Sequence, residues 1–249
     1  MIQVKNAAQI AMMRDAGKIT GEALAMAGEM VRPGITTKEI DTAIREYIKK
    51  CGATPSFLNY GGFPASACIS INDEVIHGIP SSKRMLKDGD IVKIDVGAYY
   101  KGFHGDTANT FPVGTVSAEA ETLIRVTKES FLEGIKTIGP GSRLGDLGAA
   151  VDGYVRQFGF SAVRKFVGHG IGHDLHEAPD VPNYGIAGRG QRIYTGMVMA
   201  VEPMINAGTH DVIQLDDGWT VKTADGKLSA HYEHTLAVTD NGVVLLTKV

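Results

Sequence analysis

Four acidic residues stand where the surrounding pattern calls for apolar or neutral side chains. Asp95 closes the apolar run IVKIDVG, Asp106 lies in GFHGDTANTF, Glu202 ends MVMAVEP, and Glu233 precedes an apolar run in HYEHTLAV. Singly, each reads as a solvated strand end or as an acid paired with a base. Four carboxylates converging on one cleft are different, because burying them uncompensated costs many kcal/mol. Divalent cations are the direct remedy. A carboxylate-rich set with few nitrogen donors and no thiolate suits Mn²⁺, Fe²⁺, Co²⁺ or Zn²⁺ better than a structural cysteine site does. Four carboxylates suffice for two ions, which in such centres lie roughly 3.5–4 Å apart.

Nitrogen ligands must come from the eight histidines. The run VGHGIGHDLHEAP holds His169, His173 and His176. His169 and His173 have the spacing of a helical zinc-peptidase pair, but Gly-Ile-Gly separates them, without the glutamate such a pair needs. Those glycines disfavour a helix and suit a backbone pressed close to a ligand. No strand–GxxxxGK–helix context makes the run a phosphate cradle. His77, in ISINDEVIHGIP, reads equally as a satisfied loop histidine or as a site residue. Gly-x-Ser-x-Gly is absent, and Cys68 lies within the apolar SACISI as a small buried hydrophobe does.

The elements that must position these residues are written twice. Apolar residues at helical spacing (Ile10, Met13, Ile19, Leu24, Met26, Met30) predict a helix over 6–31, ending at Pro33-Gly34. Thr36 opens a second helix to about residue 50, with Glu39 completing a capping box and Ile40, Ile44, Tyr47 and Ile48 on one face. Segments 66–71, 90–97 and 107–113 read as strands. A helix over 118–138 then ends at Pro140-Gly141, and Ser142 opens another to about residue 158. The two Pro-Gly pairs are 107 residues apart, and the same displacement carries GDIVKID (89–95) onto GMVMAVE (196–202), placing Asp95 on Glu202. This predicts two similar α+β units packed together, with the two acids as counterparts near one axis. Eight strand–helix alternations are not found, so a TIM barrel is not expected.

The 249 residues suffice for a large core, in one domain or two intimate halves. Net charge −3 and 21% charged residues argue against a nucleic-acid binder, which shows a basic stripe. Glycine is abundant, 31 residues with only 9 prolines and no low-complexity run, which predicts tight turns rather than disorder. No stretch approaches a membrane span of about 20 apolar residues, and residues 1–14 lack signal-peptide character. The two cysteines, Cys51 and Cys68, are therefore expected reduced, in a cytoplasmic enzyme.

At these residues the chain resembles the methionine aminopeptidases of the pita-bread metallopeptidase fold. The matching segments are SACISINDEVIHGIP (66–80), DGDIVKIDVG (88–97), FHGDTANTF (103–111), VGHGIGHDLHEAP (167–179), AVEPMINAG (200–208) and DDGWTVKTADGKLSAHYEHTLAVT (216–239), in family order across nearly the whole chain. The resemblance implies an α+β fold of two pseudo-twofold-related halves, about 1–114 and 115–249 of a single catalytic domain, with a central curved antiparallel sheet covered by helices. It implies two divalent ions (Co, Mn, Fe, Zn or Ni) held by Asp95, Asp106, His169, Glu202 and Glu233, with Asp106 and Glu233 bridging. His77, His176 and Glu202 look like its catalytic residues. Tyr60, Phe63, Cys68, His77, His176 and Trp219 resemble its substrate site, with Phe57 and Leu175 nearby.

The implied activity is co-translational removal of the initiator methionine ahead of a small second residue. Its implied partners are nascent polypeptide N-termini, with transient contact at the ribosome. A monomer is expected, without membrane or specific nucleic-acid partners. The short interval between His176 and Glu202 resembles type I, in its minimal bacterial form. Phe57 and Ile76 stand where cysteines are frequent and Phe63 where tyrosine is common, so the fine shape of the pocket departs from the family's usual one. The alternatives are an Xaa-Pro aminopeptidase or prolidase of the same fold, and a non-enzymatic peptide-binding relative.

Overall fold

The computed structural model describes residues 2–249; Met1, the first residue of the segment read as lacking signal character, lies outside them. Helix α1 (Ala7–Met30) starts at Asn6, whose side chain accepts from the Gln9 N–H while the Gln9 amide accepts from the Asn6 N–H. Helix α2 (Thr37–Lys50) carries the expected capping box, Thr36 with Glu39. These boxes satisfy N–H groups that the first turn leaves without helical partners. Strands β1 (Thr54–Pro55), β2 (Ala67–Ile71), β3 (Glu74–Ile76), β4 (Ile91–Tyr100) and β5 (Phe103–Pro112) follow. Strand β5 begins four residues earlier than the pattern indicated. It pairs with β4 over the full ten residues, through a two-residue turn whose Lys101 and Gly102 both have positive φ. Such a turn matches the twist of the strands it joins.

After α3 (Ala118–Ile135) and α4 (Leu144–Arg156) come ten shorter strands. They are β6 (Ser161–Ala162), β7 (Gly168–Gly170), β8 (Glu177–Val181), β9 (Val198–Val201), β10 (Met204–Asn206), β11 (Val212–Gln214), β12 (Val221–Thr223), β13 (Ser229–His231), β14 (His234–Thr239) and β15 (Gly242–Leu245). Ser142 does not open α4. Its hydroxyl closes a turn on Gly139, and the helix starts at Arg143, whose N–H donates to the Asp146 carboxylate at 2.7 Å.

Alternation along β4 separates core from site. Val92, Ile94, Val96 and Ala98 are fully buried in a cluster with Ile40, Ile44 and Ile48 of α2 and with Ala23 and Ala27 of α1. Each such aliphatic side chain stabilises the fold by about 1.5–3 kcal/mol on burial. Lys93, Asp95 and Gly97 point to the opposite face by strand periodicity. Register places Cys68 of β2 and Ala108 of β5 beside Asp95, and Asp106 beside Gly97. On the other side of the molecule, Leu123, Val126, Leu147 and Val151 of α3 and α4 bury Met199, Val201, Leu236 and Val238.

The antiparallel strands do not form one continuous sheet. The first part is a four-stranded sheet in which β4 pairs with β1, β2 and β5, and a five-stranded one runs β15-β14-β9-β7-β8. They meet along β5 and β14, where side-chain hydroxyls stand in for ladder bonds. The Thr235 hydroxyl accepts from the Asp106 N–H at 2.9 Å and donates to its carbonyl at 2.8 Å. The Glu233 N–H donates to the Ala108 carbonyl at 2.9 Å. Further along, the Thr110 hydroxyl holds the N–H and carbonyl of His231 in the same manner, both at 2.8 Å.

Candidate metal centre and substrate cavity

Asp106 and Glu233 lie on opposite sides of this seam, and both carboxyls open into one cavity of about 350 Å³. The cavity is lined also by Asp95, His169, Glu202, His77 and His176, so every candidate ligand and catalytic residue borders the same space. Asp106, His169 and Glu233 offer ligand atoms within 4.8 Å of one another. His169 Nε2 lies 3.7 Å from Glu202 Oε1 and 3.8 Å from Asp106 Oδ2. Asp95 faces the same group from β4.

Local chain geometry sets each donor. His169 sits on β7 between Gly168 and Gly170, where a Cβ would collide with the carbonyls of Ala200 and Ala178 respectively. The glycines therefore admit neighbouring strands rather than a ligand. The His169 Nδ1–H donates to the Gly170 carbonyl at 2.8 Å, which leaves Nε2 with its lone pair toward the acids. Glu202 falls just beyond β9 and is followed by Pro203, which has no N–H to continue the ladder. The strand breaks there and re-forms as β10 in another sheet. Glu233 occupies a similar break between β13 and β14. His77 follows β3 with φ 59, a left-handed conformation uncommon for a side-chain-bearing residue and concentrated at functional positions.

Burial governs the electrostatics. It pushes the Asp95 carboxyl up to about 7 and that of Glu202 up to about 8. It drives Asp106 and Glu233 well above the usual range, and the neighbouring acids add to the effect. The same burial lowers His169 to about 3 and His77 to about 4, and lowers His176. Oδ1 of Asp95 and Oδ1 of Asp106 are buried without a hydrogen-bond partner. Oxygen donors short of positive charge, beside imidazoles held neutral, fit divalent cations.

Apolar walls complete the cavity. Phe57, Phe63, Cys68, Leu175 and Trp219 line one side, with the Phe63 and Trp219 rings edge-on at 5.1 Å. Phe57 packs over Gly97, where a Cβ would lie 2.7 Å from its ring. Tyr60 stacks on His176 at 5.2 Å and its hydroxyl meets His176 Nδ1 at 2.9 Å. Ile76, one of the departures from the family's pattern, also lines the wall.

Sequence reasoning missed three polar or aromatic neighbours. His231 is buried with both ring nitrogens unpartnered, and its Nε2 is 3.6 Å from Glu202 Oε2. Its signal was alternation in HYEH, which puts it on the side of Glu233 while Tyr232 turns to the core. Lys165 and Phe166 line the cavity just ahead of His169; nothing in RKFVGHG beyond proximity to that histidine marks them.

The sequence model of metallopeptidase family M24 matches residues 11–240. A curated relative, methionine aminopeptidase of Clostridium perfringens, is 57% identical over the whole length of both chains. Methionine aminopeptidase 1 of Bacillus subtilis is 48% identical, again over all of both. The crystal structure of methionine aminopeptidase from Thermotoga maritima superposes with a TM-score of 0.98 at 42% identity, covering 100% of each chain. The expected pita-bread fold is thereby borne out.

Proposed function

Because the chain belongs to metallopeptidase family M24, we propose that it is a metal-dependent aminopeptidase that removes the N-terminal methionine from nascent polypeptides, acting as one catalytic domain in the cytoplasm. The observation that carries this reading is a buried cluster of acids and a neutral imidazole opening onto a cavity with apolar, aromatic walls. Asp95, Asp106, His169, Glu202 and Glu233 would hold the two divalent ions, supplying four carboxylates and one imidazole nitrogen. A small second residue is preferred, as in the family the chain resembles.

When bound, the ions supply an acidified water and polarise the scissile carbonyl. The chain's own residues do the rest. A flexible thioether enters between Phe63, Trp219, Cys68 and Leu175, where each aromatic–sulfur contact contributes about 0.3–1.5 kcal/mol. Glu202, whose carboxyl borders the same cavity as His77 and His176, accepts a proton at its carboxylate and returns it to the leaving amine. The Tyr60 O–H donates to His176 Nδ1 and so fixes the proton on Nε2, which faces the cavity as a donor to the developing oxyanion. His77, wedged between the Phe166 and Trp219 rings at 5.9 and 6.4 Å, is placed to contact the scissile amide.

The test is hydrolysis of Met-Ala-Ser against an Xaa-Pro peptide, with bound metal measured on the same sample. Release of methionine by protein carrying divalent ions is expected. Turnover of the Xaa-Pro peptide alone would overturn the reading in favour of a prolidase-like activity, and activity of fully metal-free protein would overturn the metal chemistry.

A further inference from the structure

A substrate whose methionine fills the aromatic pocket must leave the cavity past its rim. Five charged side chains border the cavity: the acids Asp95, Asp106, Glu202 and Glu233, and one base, Lys165. Lys165 is exposed, and its ammonium lies 5.7 Å from the Phe166 ring. Among the described residues it has no carboxylate within ion-pair distance and no hydrogen bond. Phe166 in turn packs edge-on against His77, so Lys165 lies one ring away from a candidate catalytic histidine.

Beyond the rim, Lys165 also borders a shallow surface groove of about 310 Å³ shared with Arg164, His210, Asp211 and Val212. Its one acid, Asp211, already faces His210 at 3.3 Å. Arg164 likewise lacks an acidic partner among the described residues and sits over the Tyr184 ring at 5.6 Å. The cavity and the groove thus share Lys165 as a lining residue, and the groove carries two cations without an acidic partner among the described residues.

We propose that Lys165, with Arg164 behind it, is a specificity determinant that favours substrates carrying acidic residues at the third to fifth positions from the N-terminus. This rests on the reading of the chain as a methionine-removing aminopeptidase and adds the chemistry of the segment downstream of the cleaved bond. The substrate remains a peptide N-terminus; its preferred class is one with Asp or Glu after the small second residue. Attraction between exposed charges contributes up to about fivefold and is screened by salt.

The test uses the metal-loaded protein and three amidated peptides, Met-Ala-Ser-Ser-Ser, Met-Ala-Glu-Glu-Ser and Met-Ala-Lys-Lys-Ser, with kcat and KM measured separately. The acidic peptide is expected to exceed the basic one about three- to fivefold in kcat/KM at low salt, through KM, with the ratio approaching one in molar salt. Lys165→Met brings the ratio toward one, and Lys165→Glu reverses it. Each rate is normalised to the neutral peptide, which also reports correct folding. A wild-type ratio of one, or a ratio unchanged in Lys165→Glu, overturns the inference while the activity stands. Failure to cleave the neutral peptide overturns the activity itself.

Discussion

Asp95 and Glu202 are related by the same 107-residue displacement that relates the two Pro-Gly turns, yet the backbone beneath them differs. Asp95 and Asp106 lie inside ten-residue strands whose ladder continues on both sides. Glu202 and Glu233 lie in breaks where a strand leaves one sheet for another. The first segment therefore holds its acids within continuous strands, and offers only oxygen donors. The second holds its acids at strand switches and adds the nitrogen of His169. The hairpin presents its acids from continuous strands, whereas the broken strands present longer glutamates at their ends. Under the proposed function, that difference between counterparts corresponds to a division of labour between holding the ions and moving a proton.

The sharpest way to break that comparison is to neutralise the counterparts one at a time. Asp95→Asn is expected to weaken metal binding, with kcat largely restored at saturating ion. Glu202→Gln is expected to lower kcat by about 10²–10⁴ even when loaded, the scale of general acid–base catalysis. Equal kcat losses at saturating metal would erase the distinction.

Removing the ions tests the seam that both segments share. A ligand at a hundredfold excess over its dissociation constant stabilises by about 2.7 kcal/mol, or roughly 5–10 °C in a chain of this size. The metal-free protein also carries a pH signature of definite sign. The folded carboxyls of Asp95 and Glu202 titrate near 7 and 8, above their unfolded values, so the folded state holds the extra protons. That contribution is complete below about pH 4 and is lost as pH rises through 7 to 8. Thermal unfolding in chelator should therefore fall in midpoint from pH 6 to pH 8.5, with added Mn²⁺ restoring more at the higher pH. A chelated protein that gains stability over that interval would contradict the buried, protonated acids.

Smaller effects distinguish the two seam hydroxyls. Thr235→Val and Thr110→Val each orphan one N–H and one carbonyl, at about 1–3 kcal/mol of stability. Only the former disturbs the backbone of a proposed ligand, Asp106, so calorimetric metal affinity should drop about tenfold or more in Thr235→Val and little in Thr110→Val. The smallest change is Tyr60→Phe, which removes a single neutral hydrogen bond and should reduce kcat about threefold to tenfold, with KM nearly constant. A rise in KM alone would mean that Tyr60 shapes the pocket and does not set the imidazole tautomer.

Local signals made much of the scaffold legible. The Thr36–Glu39 box and the apolar stripe of Ile40, Ile44 and Ile48 act within one helix, and alternation in IVKID separates core from site within one strand. The acids drew notice because each interrupts such a pattern. What stayed hidden depends on partners distant in sequence. The break at Pro203 becomes a sheet switch only because β13 and β6 await β10. His231 is a neighbour of Glu202 only through that switch, and the Tyr60–His176 contact joins residues 116 apart. The start of α4 was misplaced because Ser142 offers a cap, while the reciprocal bond from Arg143 to Asp146 carries the turn.

The junction of β5 with β14 also has a temporal consequence. Asp106 is held by Thr235, and Glu233 by Ala108, so each strand completes the other's backbone as two copies facing each other across a dyad do. During synthesis Glu233 is added 127 residues after Asp106, and until then the hairpin lacks the strand that completes its backbone hydrogen bonds. The candidate site therefore draws its acids from segments made far apart in time, and is complete only once both are present.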